Sequence, residues 1–156
     1  MSFTLTSPIT GGAQTGFTTP AYVIAVDTAP TSAGKQYAVT SFTGTQTGVD
    51  PNSSPSNPFT ITLSRPTTLK TVGAIDPVTG ALKSVPRNSY KIIVRKGCLP
   101  LAGQPKSVLN ATLTIDVPAG ADSADAANIR ASMSLLIGSL NSISASIGDT
   151  LVTGVI

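Results

Sequence analysis

The sequence predicts an α+β subunit: an N-terminal β-hairpin, an antiparallel sheet of five or slightly more strands, and two C-terminal helices. Three observations predict it. Residues 87–97 and 107–117 each alternate with period two, the mark of half-buried strands. The chain before them is rich in Thr, Ser, Gly and Pro, which suits short strands joined by turns. The last forty residues switch to apolar steps of three and four, the helical period.

In chain order, Phe3 and Leu5 alternate with Thr4 and Thr6, and residues 17–19 are expected to answer them across Gly11 and Gly12. That hairpin occupies residues 1–20. Residues 21–117 follow as the sheet. Residues 22–26 form a compact strand ended by Asp27 and Pro30, and 35–42 form the next, with Tyr37, Val39 and Ser41 opposing Ala38, Thr40 and Phe42. Residues 43–58 lack periodicity and read as a surface loop. Phe59, Ile61 and Leu63 alternate with Thr60, Thr62 and Ser64, and Pro66 ends that strand or kinks it. Residues 67–74 and 81–85 are weaker strand candidates around a turn at Asp76, Pro77 and Gly80. Residues 97–104 make a loop that is unusually apolar for solvent, with Leu99 and Leu101 directed at a neighbouring subunit.

Pro118 and Gly120 close the sheet, and the helices fall within residues 123–151. Asp122, Ser123 and Asp125 supply a capping side chain and negative charge at a helix start. Ile129, Met133, Leu136, Ile137 and Leu140 then mark one stripe of a helix over about 123–140, and Ile143, Ile147 and Leu151 mark a shorter second one. The whole chain, 1–156, is expected to be one domain.

Composition narrows the function. The chain has no His and no Glu, so the commonest general base and the commonest metal ligand are missing, and the seven Asp are scattered. A single cysteine, Cys98, excludes an intrachain disulfide and zinc-spacing motifs. These absences argue against an enzyme, and no cofactor is implied. No signal-peptide pattern opens the chain and no apolar run approaches membrane-spanning length, so a cytosolic product without a membrane partner is expected. Charge is scarce but uneven: eight of the ten basic residues lie between 65 and 106, against Asp76 alone. That pattern suits a polyanion, and equally suits a low-charge chain that needs some solubilising cations. Low charge with high hydropathy points to an assembly subunit.

The two central strands sort their side chains onto two faces. Tyr90, Ile92, Val94, Leu109, Leu113 and Ile115 share an apolar face. Ser89, Lys91, Arg95, Asn110 and Thr112 share a polar, partly basic one, with Thr60, Thr62 and Ser64 alongside.

Residues 87–94 (RNSYKIIV) and the pattern Ser107-x-Leu109-Asn110-x-x-Leu113-Thr114-Ile115, followed by an acidic helix start and two helices, resemble the coat proteins of the small single-stranded RNA bacteriophages, the leviviruses. The resemblance covers residues 84–151 well and the N-terminal half in outline. It implies a homodimer whose two sheets join into one, with each subunit's helices lying on its partner's sheet. It further implies an icosahedral shell assembled in the host cytoplasm around a single-stranded RNA genome. By that resemblance Tyr90, Ile92, Val94, Leu109, Leu113 and Ile115 face the partner's Ile129, Met133, Leu136, Ile137 and Leu140. Thr60, Thr62, Ser64, Lys83, Arg87, Ser89, Lys91, Arg95, Asn110 and Thr112 face RNA. Asn110 stands where the family contacts an operator hairpin, and Thr62 and Ser64 stand beside its unpaired adenine. Val108 and Ile93 depart from the family pattern, which has a stacking Tyr and a Lys there, so electrostatic contact is the firmer implication. The alternative is another β-rich self-assembling virion or fibre subunit without specific RNA binding.

Overall fold

The computed structural model describes residues 3–156. Its framework is one six-stranded antiparallel meander in which each strand pairs with the next in sequence: β1 (Ile9–Thr10), β2 (Phe17–Asp27), β3 (Gly34–Gln46), β4 (Phe59–Ser64), β5 (Arg87–Cys98) and β6 (Ser107–Pro118). Three helices follow: α1 (Ala121–Ala124), α2 (Ala126–Ser142) and α3 (Ser144–Thr153).

The alternation that predicts β4, β5 and β6 also fixes their register. Ile61 lies opposite Val94, and Leu63 opposite Ile92. Tyr90 lies opposite Ile115, and Ile92 opposite Leu113. Directly paired residues in an antiparallel ladder share a face, so these side chains form one apolar layer. At its β2–β4 end the layer closes into a core of Ile24, Tyr37, Val39 and Leu63. Leu5 and Ile9 pack over it as the N-terminal segment crosses the sheet. That segment is held by Leu5 N donating to the Tyr37 hydroxyl at 3.4 Å, Ile24 N donating to Ser7 Oγ at 3.1 Å, and Lys35 Nζ donating to Thr4 Oγ1 at 3.0 Å. Tyr22, Phe42 and Phe59 complete the layer as three mutual edge-to-face pairs, with ring centroids 5.6–6.2 Å apart. Such pairs contribute about 0.5–1.5 kcal/mol each beyond simple burial.

Five features differ from the sequence reading. The N-terminal hairpin exists, but its first strand is Ile9–Thr10 paired with Tyr22 and Ala21, not residues 3–6 answered by 17–19. Met1 and Ser2 of that hairpin lie outside the described residues. Residues 17–19 and 22–26 are one strand, β2. Phe42 shares the apolar face with Tyr22, because a register shift between Val23 and Ile24 leaves Thr40 unpaired and flips the alternation beyond it. The helical region begins earlier and breaks once. Gly120 in the left-handed region precedes the single turn of α1, and Asp125, at φ −147° and ψ 46°, separates α1 from α2. Neither Asp125 nor any other side chain caps these helices; the Asp125 carboxylate instead accepts from Asn128 Nδ2. Residues 67–74 and 81–85 form no sheet strand; they lie side by side around a bridge between Ile75 and Leu82.

No residue of α1, α2 or α3 is buried, and α2 makes no extensive contact with any strand of its own protomer. In the stripe, Ile129, Met133 and Leu136 are half-buried, and Ile137 and Leu140 are exposed. α3, bent 63° from α2, returns to the loop after β1 through polar bonds. Gln14 Nε2 donates to Ser144 O at 2.8 Å, Ser144 Oγ donates to Ala13 O at 2.9 Å, and Thr15 Oγ1 donates to Asp149 Oδ2 at 2.9 Å. Among the described residues no single helix is long and apolar enough to cross a membrane.

Candidate nucleic-acid interface

The face opposite the core is assembled from three rows across β4, β5 and β6. Ser64, Lys91 and Thr114 form one, Thr62, Ile93 and Thr112 the next, and Thr60, Arg95 and Asn110 the third. Gln36 and Ala38 of β3 extend the second and third rows. Ser89 continues the face toward the start of β5, where its hydroxyl donates to the Asp116 carboxylate. Arg87 lies on the same side at the strand's first residue. The structure therefore brings together nine of the ten residues assigned to RNA contact. Lys83 is the exception: it belongs to residues 73–84, outside the sheet.

Exposure divides these nine. Lys91, Arg95, Arg87, Asn110 and Thr112 are open to solvent, and among the described residues neither Lys91 nor Arg95 has a carboxylate within ion-pair distance. Thr60 and Thr62 are only 6% and 5% exposed. Thr62 Oγ1 donates to Gln36 Oε1 at 2.7 Å, and Gln36 Nε2 donates to Asp27 Oδ2 at 2.7 Å. The Thr60 hydroxyl is buried with no partner among the described residues. It lines a recess of about 330 Å³ with Arg95, Gln36, Asp27, Ala38 and residues of the 53–58 segment. Gln36 and Asp27 were not singled out in the sequence. Their signal is weak, because Gln36 alternates with Tyr37 in a strand whose facing is ambiguous without its partner.

The 50–58 segment reaches this face because it is clamped. The Asp50 carboxylate accepts from Lys106 Nζ at 2.8 Å, Asn57 Nδ2 at 2.7 Å and Asn52 N at 3.2 Å, and Lys96 Nζ donates to Asp50 O at 2.9 Å. The Lys106 bond, followed by the Asn52 amide, holds the Asp50 carboxyl below the usual carboxylate range. Burial pushes the Lys96 ammonium below its ordinary value, against the opposing pull of Asp50. Lys96 also stands 4.6 Å over the Phe59 ring. Asn57 is buried directly on Gly97, where an added Cβ would lie 2.3 Å from Asn57 Oδ1 and 3.0 Å from its Cα. Only glycine accommodates that approach.

What this face can do chemically is hold a polyanion: exposed cations flanked by hydroxyl and amide groups that donate and accept hydrogen bonds. On the other face, Tyr90, Ile92, Val94, Leu113 and Ile115 are half-buried and Leu109 is exposed, with no helix laid over them. β6 is the outer strand, and along residues 107–112 every side chain is exposed.

Neither a protein-family model nor a curated protein matches the sequence. A solved structure nevertheless defines the class: the chain belongs to the bacteriophage capsid proteins, structural subunits of the virion shell. That structure is the virus-like particle of bacteriophage ESE020. It is 49% identical, covers 99% of this chain and 100% of its own, and superimposes with a TM-score of 0.96.

Proposed function

We propose that the chain is the coat protein of a small single-stranded RNA bacteriophage. Two copies join along β6, lay α2 and α3 on each other's apolar face, and assemble in the host cytoplasm into an icosahedral shell around the genome. The end-to-end likeness to a phage virus-like particle carries the assembly part of this reading. The RNA part is supported by Lys91 and Arg95, two cations without carboxylate partners among the described residues, on the face opposite the apolar layer.

The long β6 edge supports the dimer. Such an edge exposes a row of unpaired backbone groups, and a second copy is a natural template for them. The uncovered apolar residues of β5 and β6 match the uncovered stripe of α2 in character and extent.

Pairing of Lys91 and Arg95 with phosphate makes binding salt-dependent. The slope of log K against log salt becomes shallower by about 0.7–0.9 for each phosphate that is no longer neutralised. Purified wild-type protein is expected to form uniform spheres that retain nucleic acid. The Lys91→Ala and Arg95→Ala variants are each expected to form spheres whose dissociated subunits bind single-stranded RNA with that shallower slope. Equal slopes for all three proteins would remove this face as the RNA surface.

A further inference from the structure

Residues 66–86 contribute no strand to the sheet, yet they are firmly built. After β4 the chain crosses the end of the sheet. Lys70 N donates to Asn88 Oδ1 at 2.8 Å, and Asn88 Nδ2 donates back to Lys70 O at 3.0 Å. Asn88 is itself buried. Val72 then seats on Gly120, just before α1, where an added Cβ would meet Val72 Cγ2 at 2.2 Å. From that corner residues 73–84 run out and back as a two-stranded ribbon. Asp76 N donates to Ala81 O at 2.8 Å, Lys83 N donates to Ala74 O at 3.4 Å, and Ile75 bridges Leu82. At its tip the Asp76 carboxylate accepts from Val78 N at 2.8 Å and Thr79 N at 3.3 Å.

The ribbon is apolar on one face, that of Ile75 and Leu82, and Val72 and Val85 add apolar surface at its root. All four are exposed, and Val78 at the tip is 90% exposed. An isolated two-stranded ribbon is marginal in water, so this one requires cover. Polyanion is a poor cover, because Lys83 is offset by Asp76.

Strand direction indicates what covers it. β5 leaves the ribbon's root and ends, twelve residues later, at the loop 99–105. At about 3.4 Å per residue the two lie roughly 40 Å apart, at opposite ends of one protomer. Joining two copies antiparallel along β6 turns the second by half a revolution. Its 99–105 loop then stands at the same end as the first copy's ribbon. The ribbon is rooted at the β6–α1 corner, beside that seam. The loop offers exposed Leu99 and Leu101 between Pro100 and Pro105.

We infer that residues 73–84 are an arm that reaches over the dimer seam and packs on the 99–105 loop of the second copy. The inference rests on the β6-paired dimer proposed above. Each arm thereby fixes the position of its partner's loop, and the contact occurs twice by symmetry.

The test places cysteines on exposed positions, so folding is not at stake. In a Cys98→Ser background, Val78→Cys and Leu101→Cys are introduced in the same chain, and subunits dissociated from the particles are treated with a short bismaleimide. The expected product is a covalent dimer with a 78–101 linkage by peptide mapping, and no product beyond it. A ladder of larger species, or dimers by light scattering that carry no 78–101 link, would overturn the inference. Protein that is monomeric by light scattering would defeat the dimer itself, and the arm with it.

Discussion

Strands β2 to β4 carry a core of their own, whereas β5, β6 and the helices do not. Over the first region the N-terminal segment crosses the apolar face, and Ile24, Tyr37, Val39 and Leu63 are shut from solvent. Over the second the same apolar layer continues without cover, and the helical stripe that could cover it, half-buried to exposed, makes no extensive contact with it. The difference teaches that a protomer folds in two kinds of place. One is sealed by its own chain. The other has the composition of an interior and the exposure of a surface, which is how half of an obligate interface is built.

The largest expected effect breaks the open region. Leu136→Asp puts a charge where the proposed dimer would bury the stripe, at a cost of several kcal/mol. Sedimentation velocity should show loss of dimers and shells, and an unaltered distribution would mean that the stripe faces solvent in the assembly as well. In the sealed region, Leu63→Ala should lower the stability measured by urea unfolding by about 2–4 kcal/mol, through reduced burial and the cavity left behind. A loss under about 1 kcal/mol would mean that the small core is not what holds β2–β4 together.

A smaller effect sharpens the boundary between the regions, where Asp50 clamps the 50–58 segment. The folded state holds this carboxyl below its ordinary value, so the unfolded chain binds the proton more readily. Its contribution to stability is complete above the unfolded carboxylate pKa and is lost as pH falls through the lowered folded value. Between neutral pH and about pH 3, Asp50→Asn should flatten the acid limb of the urea midpoint profile. Overlapping profiles would show the clamp to be energetically idle. The smallest effect concerns Thr60, whose buried hydroxyl lacks a partner among the described residues. Thr60→Val should leave the thermal midpoint unchanged or raise stability by up to about 1 kcal/mol, and a clear drop would point to a hydrogen bond made by that hydroxyl.

The sheet around β4, β5 and β6 was legible because period two specifies both strand and face, and one buried face forbids a one-residue slip. Tyr90, Ile92, Lys91 and Arg95 fell on the faces expected of them for that reason. Phe42 did not, since a bulge reverses the alternation and leaves no mark in the sequence. The helix stripe was legible, but the break at Asp125 was not, because Asp suits a helix start and an interruption alike. The clamp was invisible. Asp50, Asn57 and Lys106 are polar, aperiodic and up to 56 residues apart, and they meet only in the folded chain, where Asn57 packs on Gly97. The burial of Thr60 follows from the position of that segment and was hidden with it.

Hydrogen exchange along β6 bears most directly on whether a second copy completes the open region. In an isolated protomer β5 pairs only one side of β6, so the amides on its outer side exchange freely. Pairing with a second β6 predicts protection along residues 107–117 comparable with that of β3, in purified protein with its particles intact. Rapid exchange at every second amide of β6, with β3 still protected, would contradict it.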